Sequence, residues 1–222
     1  MDLFLVPNNV ENAVFVSSSG DPCYEIITSK TSRGEVDLMT SEIQRIVAAG
    51  DPTLAEPEDG DEAEERFMVV AEVDWKSWSN PTIVRSPIML AGGKTRSRGE
   101  SGSMKATDFL FKQKRFSRSR CFRDGGETYC WKHGANGFLL LHKLTKTEIA
   151  RCTVALVTHG VFAGEKKLRL TIHASVYKVN VDMIVLSFII LEKKRRDAGG
   201  DGTKLAAHDE DPQGDGCAEG GE

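Results

Sequence analysis

Apolar and polar residues alternate with a period of two over much of the chain, which is the side-chain period of an extended strand and not of a helix. Phe67, Val69, Ala71, Val73 and Trp75 fall on one face of such a run, and Leu168, Leu170, Ile172 and Ala174 alternate with Arg169, Thr171 and His173 in another. Val14 to Val16 and Tyr24 to Thr28 read as two strands. The Ser-Ser-Ser-Gly-Asp-Pro between them supplies, at Gly20 and Pro22, the backbone angles that a reversal needs. Leu139 to Leu144 and Glu148 to Val154 form a second antiparallel pair across Thr145 to Thr147. Thr40 to Ala49 places Ile43, Ile46 and Val47 on one helical face and is read as a short helix, with a strand as the alternative.

The sharpest local expectation lies in Arg120 to Trp131. Gly125 and Gly126, between Asp124 and Glu127, are a two-residue hairpin signal, because both central positions of a type I′ turn require positive φ. The register follows: Asp124 faces Glu127, Arg123 faces Thr128, Phe122 faces Tyr129, and Cys121 faces Cys130 as a non-hydrogen-bonded pair within disulfide reach. Phe122, Tyr129 and Trp131 then share a core face, with Arg120 placed to lie over Trp131.

One segment breaks the alternation. Met183 to Leu191 is apolar apart from Ser187 and runs into Glu192 and four consecutive cations, Lys193, Lys194, Arg195 and Arg196. It is about half the roughly 20 residues needed to span a bilayer. With Asp182 as a candidate N-cap and the cations complementing the negative end of a helix dipole, it predicts a helix from about Met183 to Lys194. A helix apolar all round belongs inside something, and only sheets are available to contain it. The expected fold is therefore mainly β: antiparallel hairpins forming a curved sheet or closed barrel around a buried C-terminal helix.

Composition divides the chain. Asp51 to Glu65 holds eight carboxylates and no cation, and Asp197 to Glu222 holds eight carboxylates, seven glycines and only Lys204. Neither has the apolar surface to join a core. One domain over residues 1–197 is expected, with an acidic loop at 51–65, a basic loop near 94–106 and a disordered acidic, glycine-rich tail at 198–222. The net charge of −4 averages these blocks with Lys94 to Arg123, where ten Lys and Arg face only Glu100 and Asp108. The start, with Asp2 and Pro7, is no signal peptide, and the Asn80 glycosylation-like triplet contains Pro81. Five scattered cysteines, Cys23, Cys121, Cys130, Cys152 and Cys217, favour a reducing compartment, so an intracellular, cytoplasmic location is expected.

Catalytic and cofactor signatures fail on spacing. Ala91 to Thr95 resembles the end of a phosphate-binding loop, but the position that needs the first glycine is Ile88. Gly200 to Gly202 and Gly214 to Gly216 lie in the tail without a strand before them. Cys121, Cys130 and His133 provide three soft ligands where a closed zinc site takes four, and strand alternation separates Cys130 from His133. No third group orients a Cys–His nucleophile, and His142, His159, His173 and His208 are scattered. No catalytic residue, metal or cofactor is assigned. Lys112 to Arg123 interleaves cations with Phe116 and Phe122. Single-stranded nucleic acid is a weaker reading of it than a strand whose aromatics enter the core while its cations face out. Phosphorylation of Ser117 or Ser119 would oppose anion binding there.

Five blocks carry a resemblance: MDLFLVPNNVENAVFV, VAEVDWKSWSNPTIVR, SRSRCFRDGGETYCWKHG, FLLLHKLTKTEIAR and VDMIVLSFIILEKKRRD. Together they resemble an uncharacterised domain family of basidiomycete fungi over residues 1–197, less closely between Ser32 and Arg66 and between Pro87 and Met104. The resemblance implies no activity, cofactor or site residue. Repeated hairpins ending in one apolar helix also resemble, in pattern, the tubby and phospholipid-scramblase superfamily, in which a closed barrel surrounds a central helix. Some members bind phosphoinositides through basic residues. That likeness makes Lys112, Lys114, Arg115, Arg118 and Arg120 the candidate anion-binding residues. The expected function is a non-enzymatic binding or scaffold domain that meets an anionic phospholipid headgroup or a protein partner at this basic side, with peripheral membrane association. The alternative is a small-molecule carrier or enzyme using a barrel-mouth pocket, against which the central helix should fill the lumen.

Overall fold

The computed structural model describes residues 1–33, 36–47, 66–75, 81–90, 102–134, 137–173 and 179–198. The acidic loop 51–65, the Ala91 to Thr95 segment, Ala174 and nearly all of the tail lie outside the described residues. Twelve strands follow in chain order: β1 (Asp2–Val6), β2 (Ala13–Ser17), β3 (Pro22–Arg33), β4 (Val36–Val47), β5 (Arg66–Asp74), β6 (Ile83–Ser86), β7 (Gly102–Lys105), β8 (Arg120–Asp124), β9 (Glu127–Gly134), β10 (Gly137–His142), β11 (Glu148–Leu156) and β12 (Lys166–Ile172). A 3-10 turn, Pro87–Leu90, follows β6, a single helical turn, α1 (Ala106–Phe109), follows β7, and the chain closes on α2 (Val181–Asp197).

All twelve strands join one antiparallel sheet in the order β7-β6-β5-β4-β3-β2-β1-β12-β11-β10-β9-β8. Two meanders, β1 to β7 and β8 to β12, meet where β1 pairs with β12. The ends of the sheet, β7 and β8, are neighbours in sequence, yet no ladder joins them among the described residues. Of the two forms expected from the sequence, the curved sheet is the one observed, and it is not closed.

The sheet wraps α2, whose residues Asp182 to Lys193 are all buried. Polar anchors fix it at both ends. Asn180, not Asp182, is the N-cap, its side-chain oxygen accepting from the Asp182 amide at 2.8 Å. Asp182 is instead buried, taking the Tyr24 hydroxyl at 2.7 Å and pairing with Arg45 at 3.6 Å. Burial, and after it the Asp182 carboxylate, pushes the Tyr24 phenol well up, so the phenol remains the donor. Ser187, the one polar interruption of the apolar run, accepts from the Trp131 indole at 2.8 Å and donates to the Ile184 carbonyl at 2.9 Å. The helix begins two residues before and ends three residues after the span expected from the sequence, because Asn180 caps it earlier and Lys193 pairs onward with Asp197 at 2.6 Å.

The hairpin register is as expected, from Asp124 opposite Glu127 to Arg120 opposite Trp131. Cys121 and Cys130 are bonded as a disulfide, with α-carbons 4.0 Å apart. The Trp131 ring turns inward toward Ser187, and among the described residues the cation over a ring in this region is Arg123, above Phe111, not Arg120 above Trp131. Thr40 to Val47 lies in β4, a strand and not the short helix: its ten-residue ladder with β3 and its pairing with β5 satisfy the backbone on both sides.

β5 departs from the simple alternation. Ala71, Val73 and Trp75 point inward as expected, but Phe67 is 49 % and Val69 40 % exposed while Val70 is buried. The ladder to β4 steps from Ile43 opposite Ala71 to Gln44 opposite Val69, leaving Val70 as an extra, bulged residue. One inserted residue transfers everything beyond it to the other face.

Gly137 opens β10 at φ +143, and a Cβ there would come within 2.0 Å of the Cys152 carbonyl oxygen on β11. Gly137→Ala must push two paired strands apart and is expected to cost about 1–3 kcal/mol, as for other overpacked sites. The urea midpoint reads this loss. An unchanged midpoint would show that β10 and β11 do not approach this closely.

Candidate functional site

Two neighbouring features occupy the seam where the sheet fails to close. The first is the loop between α1 and β8. Phe111 pairs with Cys121 through two main-chain hydrogen bonds of 2.9 Å, closing residues 112–120 into a loop. This antiparallel bridge sets Lys112 beside Arg120 at the root of the loop. At its far end the Ser117 amide donates to the Lys114 carbonyl at 2.9 Å, a turn with Arg115 and Phe116 at its centre, and the Ser119 amide donates to the Ser117 hydroxyl at 3.1 Å.

All five sequence-predicted cations belong to this loop. Lys112, Lys114, Arg115 and Arg118 are exposed and Arg120 is half-buried. Among the described residues none of the five has an ion-pair partner, whereas Lys193, Arg195 and Arg196 of α2 are paired with carboxylates. Phe116 is 92 % exposed, with the Arg115 guanidinium carbon 5.9 Å from its ring centre. The strand expected over Lys112 to Arg123 would have buried it. The strand starts only at Arg120, so alternation governs Phe122, which is in the core, and does not reach Phe116.

The basic loop expected near 94–106 is described only from Gly102, where the chain is already β7 and then α1. The metal-like grouping of Cys121, Cys130 and His133 is occupied otherwise: both sulfurs are in the disulfide, and the His133 ring packs on Phe138 with centres 4.8 Å apart.

The second feature is a cleft of about 960 Å³ between the 3-10 turn and β7 on one side and the β8–β9 hairpin on the other. Ile88, Met89, Met104, Phe109 and Phe111 form its apolar walls, and Met183, in the first turn of α2, reaches it. Arg123, Asp108, Asp124 and the turn glycines Gly125 and Gly126 also line it. Asp124 is engaged, accepting from the Asn180 amide at 2.6 Å just before α2 begins. Sequence reasoning missed this site because its residues are spread from 88 to 183 and share no motif. The one available signal was that three of the six methionines, Met89, Met104 and Met183, belong to it.

Among the described residues no helix is long and apolar enough to cross a membrane. No curated protein matches the chain, and no solved structure does. A family model matches residues 8–197, taking in the whole seam and α2, and the chain thus belongs to the family of unknown function DUF6593.

Proposed function

We propose that the domain is a non-enzymatic module that docks on an anionic phospholipid surface through the loop 112–120. The observation that carries this reading is Phe116, 92 % exposed at the tip of a loop whose five cations have no carboxylate partner among the described residues. Holding an aromatic ring in water is unfavourable, and an aromatic side chain gains by entering the interfacial zone of a bilayer. Each nearby Lys or Arg adds about 1 kcal/mol of attraction to an anionic leaflet at moderate salt. A single-stranded nucleic acid would need successive stacking platforms, and the neighbouring aromatics Phe111 and Phe122 are turned to the cleft and the core.

Twelve strands around one C-terminal helix also support the kinship in pattern with the tubby and scramblase superfamily, some of whose members bind phosphoinositides. The acidic segments 51–65 and 198–222 compete with lipid for the same cations and so modulate access.

Vesicle flotation tests the reading. The full chain should float with vesicles containing phosphoinositide and not with neutral phosphatidylcholine at low salt, and the difference should shrink as salt screens the attraction. Phe116→Ser should lower the partition coefficient roughly fivefold to tenfold, and the pair Arg115→Ala with Arg118→Ala, at about 1 kcal/mol per cation, roughly thirtyfold. Equal flotation with charged and neutral vesicles at low salt would end the lipid reading.

A further inference from the structure

The geometry points to a second, separate binding site: we infer that the cleft at the seam takes the alkyl chain of a single-chain anionic amphiphile, with the anionic head at Arg123. A closed barrel would have sealed α2 on every side. Here no ladder joins β7 to β8 among the described residues, and Met183 of α2 lines the cleft between them. The result is a concavity of about 960 Å³, within the range of sites that enclose one small-molecule ligand.

The lining fits an unbranched chain better than a rigid ring. Met89, Met104 and Met183 have unbranched, polarisable side chains that re-pack around variable apolar shapes, and Phe109 and Phe111 add flat apolar walls. The carrier role set aside because a central helix fills the lumen becomes feasible, because α2 contributes only Met183 to the cleft lining.

The head follows from charge. Arg123 is exposed, its guanidinium carbon 5.3 Å from the centre of the Phe111 ring, and it has no ion-pair partner among the described residues. Lys112, unpaired likewise, directly follows Phe111. Both rim carboxylates, Asp108 on the α1 wall and Asp124, which accepts from the Asn180 amide, oppose an anion, and Arg123 with Lys112 supplies the countercharge. A guanidinium offers a carboxylate or phosphate a paired, charge-assisted contact.

The test uses the full chain and dansyl-undecanoic acid below its micelle concentration, displaced by dodecanoate or by uncharged dodecanol. Saturable binding is expected. Met104→Trp, which fills the cleft from its half-exposed wall, should weaken binding at least roughly tenfold. Arg123→Gln should weaken dodecanoate roughly fivefold and leave dodecanol unchanged. Phe116→Ser should leave the probe affinity intact while lowering vesicle partition, which separates this site from the membrane-facing loop. A measurement on the unmodified chain stands beside the variants: dodecanoate should protect Met89 and Met104 from peroxide oxidation and leave Met68, on β5, as reactive as before. Absence of saturable binding overturns the inference. So does saturable binding that Met104→Trp does not weaken and that protects neither methionine.

Discussion

Phe188→Ala is expected to remove about 3–5 kcal/mol of unfolding free energy, the loss seen when a large aromatic is deleted from a closed core. Phe188 is 0 % exposed and sits midway along α2, its ring centre 6.1 Å from that of Phe15 on β2, 6.2 Å from Trp131 on β9 and 6.5 Å from Phe138 on β10. The truncation therefore opens a void touched by both meanders at once, and inward relaxation is limited because each neighbour is pinned in a ladder. Edge-on ring contacts add about 0.5–1.5 kcal/mol each beyond buried area. Urea unfolding followed by tryptophan fluorescence and by circular dichroism measures the loss and shows whether both meanders melt together. Phe116→Ala is the matched control: the same chemical change at an exposed loop tip should shift stability by no more than about 0.5 kcal/mol. If the two variants unfold at the same urea concentration, α2 is not enclosed by the sheet.

The enclosed helix and the β8–β9 hairpin were legible in the sequence because each rests on local chemistry. Gly125 and Gly126 fix a turn, the turn fixes the register, and the register sets Cys121 opposite Cys130. The apolar run of α2 has no polar face, so enclosure was its physical option in water. What was not legible depends on partners distant in sequence. The inserted Val70, which turns Phe67 and Val69 outward, is defined by the register against β4 and leaves no mark in the alternation of β5 itself. Thr40 to Val47 carries helical spacing at Ile43, Ile46 and Val47, and a ladder on each side overrides it. The basic stretch is legible in its charge density and the five cations became candidates through a likeness in pattern to another superfamily, but the exposure of Phe116 depends on where β8 begins, and the bridge between Phe111 and Cys121 sets that boundary. The cleft depends on β7 and β8, neighbours in sequence, not pairing among the described residues and on Met183 arriving from α2, and neither is written in a local pattern.

Glu192 carries the second large effect. Although only 1 % exposed, its carboxylate accepts from Arg195 Nε and Nη2 at 2.7 and 2.6 Å and from Arg196 Nε at 2.8 Å. Arg196 then donates onward to the Asn8 carbonyl at 2.8 Å and side-chain oxygen at 2.7 Å, tying the end of α2 to the loop between β1 and β2. Glu192→Ala takes the carboxylate away from two guanidinium groups that are only 21 % and 18 % exposed, and it should cost about 3 kcal/mol, the lower end of the range for breaking a buried pair, because Arg196 keeps its bonds to Asn8. Glu192→Gln keeps the shape and isolates the charge. Burial by itself would raise the Glu192 pKa, but the hydrogen bonds and charges of Arg195 and Arg196 outweigh it and hold the carboxyl below its ordinary 4.5. In that window the unfolded chain binds the proton more readily than the folded one, so stability rises with pH. The contribution is complete above 4.5 and disappears as acid carries the pH down through the lower folded value. Glu148, also lowered, by its pair with Arg151, adds a weaker slope of the same sign because that pair lies at the surface, with Arg151 53 % exposed. Urea midpoints measured from about pH 3 to pH 6 should therefore fall more steeply in acid for the native chain than for Glu192→Gln. Parallel curves for the two proteins would mean that Glu192 is not the ionised anchor of α2.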